Sequence, residues 1–175
     1  NIITDSSCDM KFDDLKFSDI RLAKVPFVFT IDGKDYVDDE NLDVDNMIDV
    51  MEAAPEVGRS ACPSPITWYE QFEQADYSFA ITISSNLSGS YNSAVAAKEM
   101  LEEAYPDKKV FILDSLSTGP VLAMYVLKLI ELIESGLEYD AVVEQIKDYA
   151  SKRHTIFALN SFTNLIKNGR MSRLS

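Results

Sequence analysis

The sequence predicts an α/β protein with three layers, α/β/α, and a mostly parallel sheet, followed by the first elements of a second α/β domain. Short apolar runs alternate with longer amphipathic patterns, which is typical of strand–helix–strand units. An apolar fraction of 46% over 175 residues suffices for a substantial core. Residues 152–175 hold five of the 16 Lys and Arg and none of the 29 Asp and Glu. We therefore expect one domain over residues 1–152 and the beginning of a second over residues 153–175, with a solvated helix end as the alternative explanation of the basic tail.

Six short segments have the composition of strands, being rich in β-branched, aromatic and other apolar residues. Two of them are joined by Asp32-Gly33, a dipeptide typical of hairpin turns. Two others, near residues 80 and 112, are short apolar runs suited to the centre of a sheet. The predicted strands are Asn1–Thr4, Leu22–Ile31, Tyr36–Val37, Phe79–Ile83, Val110–Leu113 and Thr155–Leu159.

Six helices are predicted between and after these strands. The first carries a stripe of apolar residues at spacings of three and four, from Val44 to Met51. Pro65 is well placed at the start of the second, and Gly136 ends the fourth. The predicted helices are Val44–Ala54, the segment from Pro65 through Phe72, Ser88–Ala104, Gly119–Ser135, Tyr139–Ser151 and Ser161–Lys167.

Hydroxyl side chains recur where predicted strands end and helices begin. Ligands of open α/β sheets bind outside the carboxyl ends of the strands, so these loops are candidates for a binding site. Four segments have this character, and the segment between residues 84 and 90 contains four serines and a glycine. The candidate residues are Asp5, Ser6 and Ser7, then Ser60, then Ser84, Ser85, Ser88 and Gly89, then Asp114 and Ser115.

This chemistry is suited to an anion. A helix N-terminus offers backbone N–H groups and the positive end of the helix dipole, while serine adds short hydrogen-bond donors. The chain has neither a GxxxxGK[ST] nor a GxGxxG motif, so a carboxylate fits better than a nucleotide phosphate. Serine and threonine before helices also act as ordinary N-caps, and four capped helices are the alternative interpretation.

A hydrolase is a competing hypothesis. Ser88, Asp114 and His154 follow one another in the chain order of an α/β-hydrolase triad, with Ser88 at a predicted strand-to-helix turn. The Gly-x-Ser-x-Gly motif of such enzymes is absent, because Asn86 occupies the position of its first glycine. A surface or structural role for His154 is the alternative.

Charge and composition bear on other classes of function. The net charge of −13 argues against nucleic-acid binding, which depends on Lys and Arg that neutralise phosphates. Acidic residues between Asp32 and Asp49 do not follow the spacing of a calcium loop, so no metal is expected. The longest apolar stretch, Val121–Ile133, is too short and too charged to span a membrane. Cys8 and Cys62 form no disulfide framework, and we expect a cytoplasmic protein.

Several segments, taken in order, cover the whole chain and together carry a family resemblance. They are Thr4–Ser7, Asp32–Asp38, Arg59–Pro65, Ile83–Tyr91, Asp114-Ser115 and Leu165–Ser172. In this sequence they resemble the DegV family of bacterial fatty-acid-binding proteins. The resemblance implies two α/β domains, the first of which this chain contains.

The resemblance also implies a function. Similar proteins hold one long-chain fatty acid, with its carboxylate among Ser and Thr hydroxyls and its tail in an apolar tunnel. In several Gram-positive bacteria they present that acid to a fatty-acid kinase that makes acyl-phosphate. This chain would then be a carrier without catalytic residues, with no cofactor besides the bound fatty acid, and able to make transient contact with a membrane. By position, the resemblance implies carboxylate contacts from Ser60, Ser84, Ser85, Ser88 and Gly89, with supporting loops around Asp5, Ser6, Ser7, Asp114, Ser115 and Arg170.

Overall fold

A computed structural model describes residues 1–12, 15–156, 158 and 163–171. The strands are β1 (Ile2–Asp5), β2 (Leu22–Val25), β3 (Val28–Ile31), β4 (Lys34–Val37), β5 (Arg59–Ala61), β6 (Tyr77–Thr82) and β7 (Lys109–Asp114). The helices are α1 (Val44–Ala53), α2 (Pro65–Phe72), α3 (Ser90–Ala104), α4 (Pro120–Glu134), α5 (Tyr139–Ser151) and α6 (Thr163–Lys167).

The central sheet has four strands in the order β2-β1-β6-β7, and every neighbouring pair is parallel. Side chains alternate between its two faces. Ile2 and Ile81 point to a core formed with α4 and α5, while Ile3 and Ala80 point to a core formed with α2 and α3. The predicted three-layer α/β/α arrangement is therefore confirmed, with apolar cores on both sides of the sheet.

A second sheet, which the sequence interpretation did not separate from the first, has three antiparallel strands in the order β4-β3-β5. The predicted extended segment Leu22–Ile31 is two strands, because Pro26 lacks a backbone N–H and separates β2 from β3. The hairpin at Asp32-Gly33 is present, with φ of 50° and 76° at its two residues, the left-handed values of a tight hairpin turn.

Helix α1 differs from the other long helices. None of its residues is buried, and its apolar side chains Val44, Ile48 and Met51 are 49%, 39% and 42% exposed. Its N-terminus is well formed, because the Asp43 side chain accepts a hydrogen bond from the backbone N–H of Asn46. The amphipathic pattern thus predicted a real helix, but its apolar stripe does not pack into either core.

The C-terminal predictions are only partly described. Thr155 and Ile156 are not in a strand, and other residues of the predicted strand Thr155–Leu159 lie outside the described part of the chain. The predicted helix Ser161–Lys167 is helical over Thr163–Lys167, whereas residues 161 and 162 lie outside that part. The domain boundary near residue 152 stays a prediction. Of the helices described, none is long and apolar enough to cross a membrane.

Candidate anion-binding site

The carboxyl ends of β1, β6 and β7 lie at one edge of the central sheet, because the three strands are parallel neighbours. The loops that follow them are joined by hydrogen bonds. The backbone N–H of Ser84 donates to the carbonyl of Ser117 at 2.8 Å, and the N–H of Gly119 donates to the carbonyl of Ser7 at 2.9 Å. The predicted serine loops are therefore brought together in one layer at this edge.

Asp5 lies at the base of this layer and is fully buried. Its Oδ2 accepts hydrogen bonds from the backbone N–H of Ile83 at 2.8 Å and from the hydroxyl of Ser90 at 2.7 Å. Its Oδ1 accepts a hydrogen bond from the hydroxyl of Ser7. Burial raises the pKa of the Asp5 carboxyl, and the hydrogen bonds that it accepts oppose this rise by favouring the charged form.

The loop between β6 and α3 is a series of short hydrogen-bonded turns. Ser84 is buried, its carbonyl accepts the N–H groups of Leu87 and Ser88, and its hydroxyl accepts the N–H of Asn86 at 3.3 Å. The Ser88 hydroxyl accepts the N–H of Ser90 at 3.2 Å. Helix α3 then begins after Gly89 without a side-chain cap, so the helix starts at a residue that presents only its backbone.

Gly89 lies against the residue that follows β5. A Cβ added to Gly89 would lie 3.4 Å from the Cys62 sulfur, in ordinary contact with it. That sulfur is 3.8 Å from the Ser93 hydroxyl, so the strand end after β5 and the first turn of α3 are in contact. The contact places Ser60 of β5 near the N-terminus of α3, although the two are far apart in sequence.

A cavity of about 940 Å³ lies between the second sheet, α1 and the serine loop. Its volume is within the range of small-molecule sites. Ser60, Ser88 and Gly89 form a polar part of its lining. Much of the apolar part comes from α1, β3 and the residue before β3, and includes Phe27, Phe29, Ile31, Met47 and Met51.

Charges around the cavity differ from those of the chain as a whole. Arg59, Lys167 and Arg170 are the cations among its described lining residues, and Glu56 is the anion. The whole chain carries a net charge of −13. A locally positive lining in an acidic protein favours an anionic ligand at this cavity.

Of the predicted site residues, the structure places Ser60, Ser88, Gly89 and Arg170 in the cavity lining. Arg170 also contacts the serine loop, since its Nε donates to the carbonyl of Leu87 at 3.4 Å. The others do not line the cavity but support the loops. These are Asp5, Ser6, Ser7, Ser84, Ser85, Asp114 and Ser115.

The supporting contacts of these residues are specific. The Ser6 hydroxyl accepts the N–H of Phe27 at 3.0 Å, which fixes the chain just before β3. The Ser115 hydroxyl is buried and exchanges hydrogen bonds with the backbone of Ser117. Asp114 accepts backbone N–H groups from Ser85 and Leu116. These side chains are thus occupied within the protein.

Sequence reasoning missed the apolar walls. Phe29 and Ile31 share one face of β3, Phe27 continues the same alternation just before it, and Met47 and Met51 lie four apart on a helix. Both periodicities are visible in the sequence, but each is equally typical of an ordinary core. What distinguishes them is the cavity that they face.

The hydrolase arrangement is not supported. His154 is exposed, and within the described part of the chain no hydrogen bond joins it to Ser88 or Asp114. Among the described residues, no group of three or more His, Cys, Asp and Glu is arranged to hold a metal ion.

The fold and the site define an α/β protein in which a serine-rich sheet edge adjoins a partly apolar cavity. The chain belongs to the DegV family, because the model of that family, described as "Uncharacterised protein, DegV family", matches residues 1–175. A DegV domain-containing protein of Streptococcus pneumoniae is 41% identical over 173 residues, which are 99% of this chain and 62% of that protein. The chain therefore spans less than two thirds of the length of this relative.

Solved structures of the family are similar to this fold. The Fatty Acid Kinase (Fak) B3 protein of Streptococcus pneumoniae, loaded with linoleic acid, matches with a TM-score of 0.94 and 41% identity over 99% of this chain and 62% of that one. A DegV family protein of Eubacterium eligens loaded with heptadecanoic acid matches with a TM-score of 0.87 and 32% identity, over 99% and 61%. A third, from Ruminococcus gnavus and refined with vaccenic acid, has a TM-score of 0.90 and 29% identity, over 98% and 61%.

Proposed function

We propose that this chain is the ligand-binding domain of a carrier that holds one long-chain fatty acid. The carboxylate would lie at Ser60, Ser88 and Gly89, and the tail along the apolar wall of Phe29, Met51 and their neighbours. The observation that carries the proposal is that this polar group and this apolar wall line one cavity. The fatty acids named for the three similar structures support the same class of ligand.

The energetics favour a long acyl chain. Each buried methylene contributes about 0.8 kcal/mol, so fourteen methylenes offer roughly 11 kcal/mol before ordering costs. Removing the carboxylate from water costs several kcal/mol, and hydrogen bonds to a charged group return roughly 1.5–3 kcal/mol each. The tail therefore supplies the affinity, while the serine hydroxyls and the start of α3 select an acid over a neutral lipid.

We further propose that the carrier presents the acid to a fatty-acid kinase, which forms acyl-phosphate. The similar Streptococcus pneumoniae structure, whose protein is named as part of a fatty acid kinase, supports this role. The carboxylate must then be reached by a phosphoryl donor from outside, and the proposed contacts Ser60 and Ser88 both line an open cavity rather than a closed core. A cytoplasmic location, where ATP is present, is part of this proposal.

Native mass spectrometry of the intact protein purified from bacteria tests the binding proposal. We expect a bound species whose added mass equals one fatty acid, and its release after the protein is denatured. A protein that carries no fatty acid, and that also fails to bind a fluorescent fatty acid in solution, overturns the proposal.

For the kinase role, adding a fatty-acid kinase and ATP to the loaded protein should convert the bound acid to acyl-phosphate, and a loaded protein that no such kinase can use contradicts it.

A further inference from the structure

A buried carboxylate lies beneath the serine loop and has no direct part in the proposed contacts with the ligand. Asp5 is fully buried, and no ion pair in the described part of the chain neutralises it. A buried carboxylate without a cationic partner is costly, and proteins retain one where its acceptor oxygens are needed. The hydrogen bonds that it accepts therefore indicate its role.

Two of those hydrogen bonds come from the two ends of the loop 84–89. The backbone N–H of Ile83, just before the loop, and the hydroxyl of Ser90, just after it, both donate to the same oxygen, Oδ2. The distances are 2.8 and 2.7 Å. Asp5 Oδ2 thus links the two ends of the loop that contains Ser88 and Gly89.

The same contacts determine which serine hydroxyls can donate a hydrogen bond to a ligand. The Ser90 hydroxyl donates its proton to Asp5, and Ser90 is fully buried, so it cannot donate to a group in the cavity. Ser7 likewise donates to Oδ1. Ser88 and Gly89, in contrast, line the cavity, and their position depends on the hydrogen bonds between Asp5 and the two ends of their loop.

We propose that Asp5 is the positioning residue of the head-group site. It holds both ends of the loop 84–89, so that Ser88 and the backbone at Gly89 face the ligand carboxylate. The inference rests on the proposed function and assigns to Asp5 a role in recognising the head group, in addition to any role in the fold.

Asp5→Asn tests this role, since the amide keeps the size of the side chain but replaces one acceptor oxygen with an NH₂ group. Affinity is measured with the intact, delipidated protein for palmitic acid and for hexadecanol, which share the same tail. We expect the variant to lose about tenfold in affinity for the acid, and less than about twofold for the alcohol. Ser90→Ala, which removes only one donor to Asp5, should give a smaller loss of affinity for the acid. This variant provides the test if Asp5→Asn does not fold.

Thr82→Val is the matched control. Thr82 is as deeply buried as Asp5, and its hydroxyl has no hydrogen-bond partner among the described residues. This control should leave both affinities unchanged. Equal losses for acid and alcohol in Asp5→Asn, or unchanged acid binding in both Asp5→Asn and Ser90→Ala, overturn the positioning role. A wild-type protein that binds no fatty acid overturns the proposed function itself, and the two failures are thereby distinguished.

Discussion

The Asp114 carboxylate accepts a hydrogen bond from the backbone N–H of Ser85 at 3.0 Å. The same oxygen accepts the N–H of Leu116 at 3.1 Å, where the backbone has a φ of +48°, which is uncommon for leucine. Asp114 thus joins the loop after β7 to the loop after β6. Its role is to hold two loops at the sheet edge, which differs from the orienting of a histidine that a hydrolase triad requires.

We therefore expect no ester hydrolysis that depends on Ser88. The purified protein and Ser88→Ala should hydrolyse p-nitrophenyl acyl esters at the same background rate, because none of the described residues provides a base bound to the Ser88 hydroxyl, which itself accepts the N–H of Ser90. Steady-state assays with esters of several chain lengths check this. Turnover by the wild type that disappears in Ser88→Ala contradicts the carrier interpretation.

Ser60→Ala should weaken the binding of fatty acids selectively. Ser60 lines the cavity from β5, and its hydroxyl is a proposed donor to the carboxylate. Loss of one hydrogen bond to a charged group should cost roughly 1.5–3 kcal/mol of binding free energy. Calorimetric titration with palmitic acid and with hexadecanol should show a loss for the acid alone.

Ser64→Ala is the control for this experiment, because Ser64 is close in sequence but has a different role. Its hydroxyl accepts the backbone N–H of Thr67 at 3.3 Å and caps α2. Its removal should lower the free energy of unfolding by about 1 kcal/mol and leave the preference for acid over alcohol unchanged. If Ser60→Ala and Ser64→Ala have the same effect on head-group preference, Ser60 has no special role.

The apolar wall predicts a dependence on chain length. Replacing both Met47 and Met51 with serine should lower the affinity for long-chain acids by about 1 kcal/mol per side chain, because less apolar surface is buried against the tail. Octanoic acid, whose tail is short, should be affected less than palmitic acid. Competition with a fluorescent fatty acid measures both.

The control for the wall lies on the same helix. Val44 and Ile48 are exposed and are not among the described lining residues of the cavity. Replacing this pair with serine should leave both affinities unchanged. Equal effects of the two double replacements would indicate that α1 acts through its general stability rather than through Met47 and Met51.

Asp5 should make stability depend on pH. Burial raises its pKa above the ordinary value of 3.8, so the folded state holds this proton more tightly than the unfolded state. The free energy of unfolding therefore falls as the pH rises through the interval between the unfolded pKa and the raised folded pKa. Asp5→Asn removes this titration.

Urea unfolding of both proteins between about pH 3 and about pH 8 measures the effect. The stability of the wild type relative to that of Asp5→Asn should decrease as the pH rises, while all other titrations cancel in the difference. A relative stability that increases with pH would show that the hydrogen bonds to Asp5 outweigh its desolvation.

Much of the fold could be predicted from local patterns. The apolar runs at residues 79–83 and 110–113 correspond to β6 and β7, and Asp32-Gly33 forms the predicted turn. Two boundaries that were predicted wrongly have local causes. Pro26 divides a predicted segment into β2 and β3, and α3 begins at Ser90 because the preceding serines form turns.

The site was predictable in part. Parallel strands bring their carboxyl ends to one edge, so the sequence indicated that the loops at Asp5, Ser84 and Asp114 lie together. It did not indicate which hydroxyls are turned inward. Ser90 and Ser115 are buried and bonded within the protein, whereas Ser60 and Ser88 line the cavity.

By itself, the sequence determined the α/β class, all six helices, the strands near residues 3, 80 and 112 and the serine-rich character of the edge, because these depend on neighbours along the chain. The tertiary structure decided that Ser60 and Gly89 line the same cavity and that Phe29 and Met51 lie in its apolar wall. This arrangement depends on the antiparallel pairing of β5 with β3, in which Ser60 lies opposite Phe29. It also depends on the contact of Cys62 with the start of α3. Pairings between distant segments leave no periodic signal in a single sequence, so only the folded chain shows that Ser60, Ser88 and the apolar wall line one cavity.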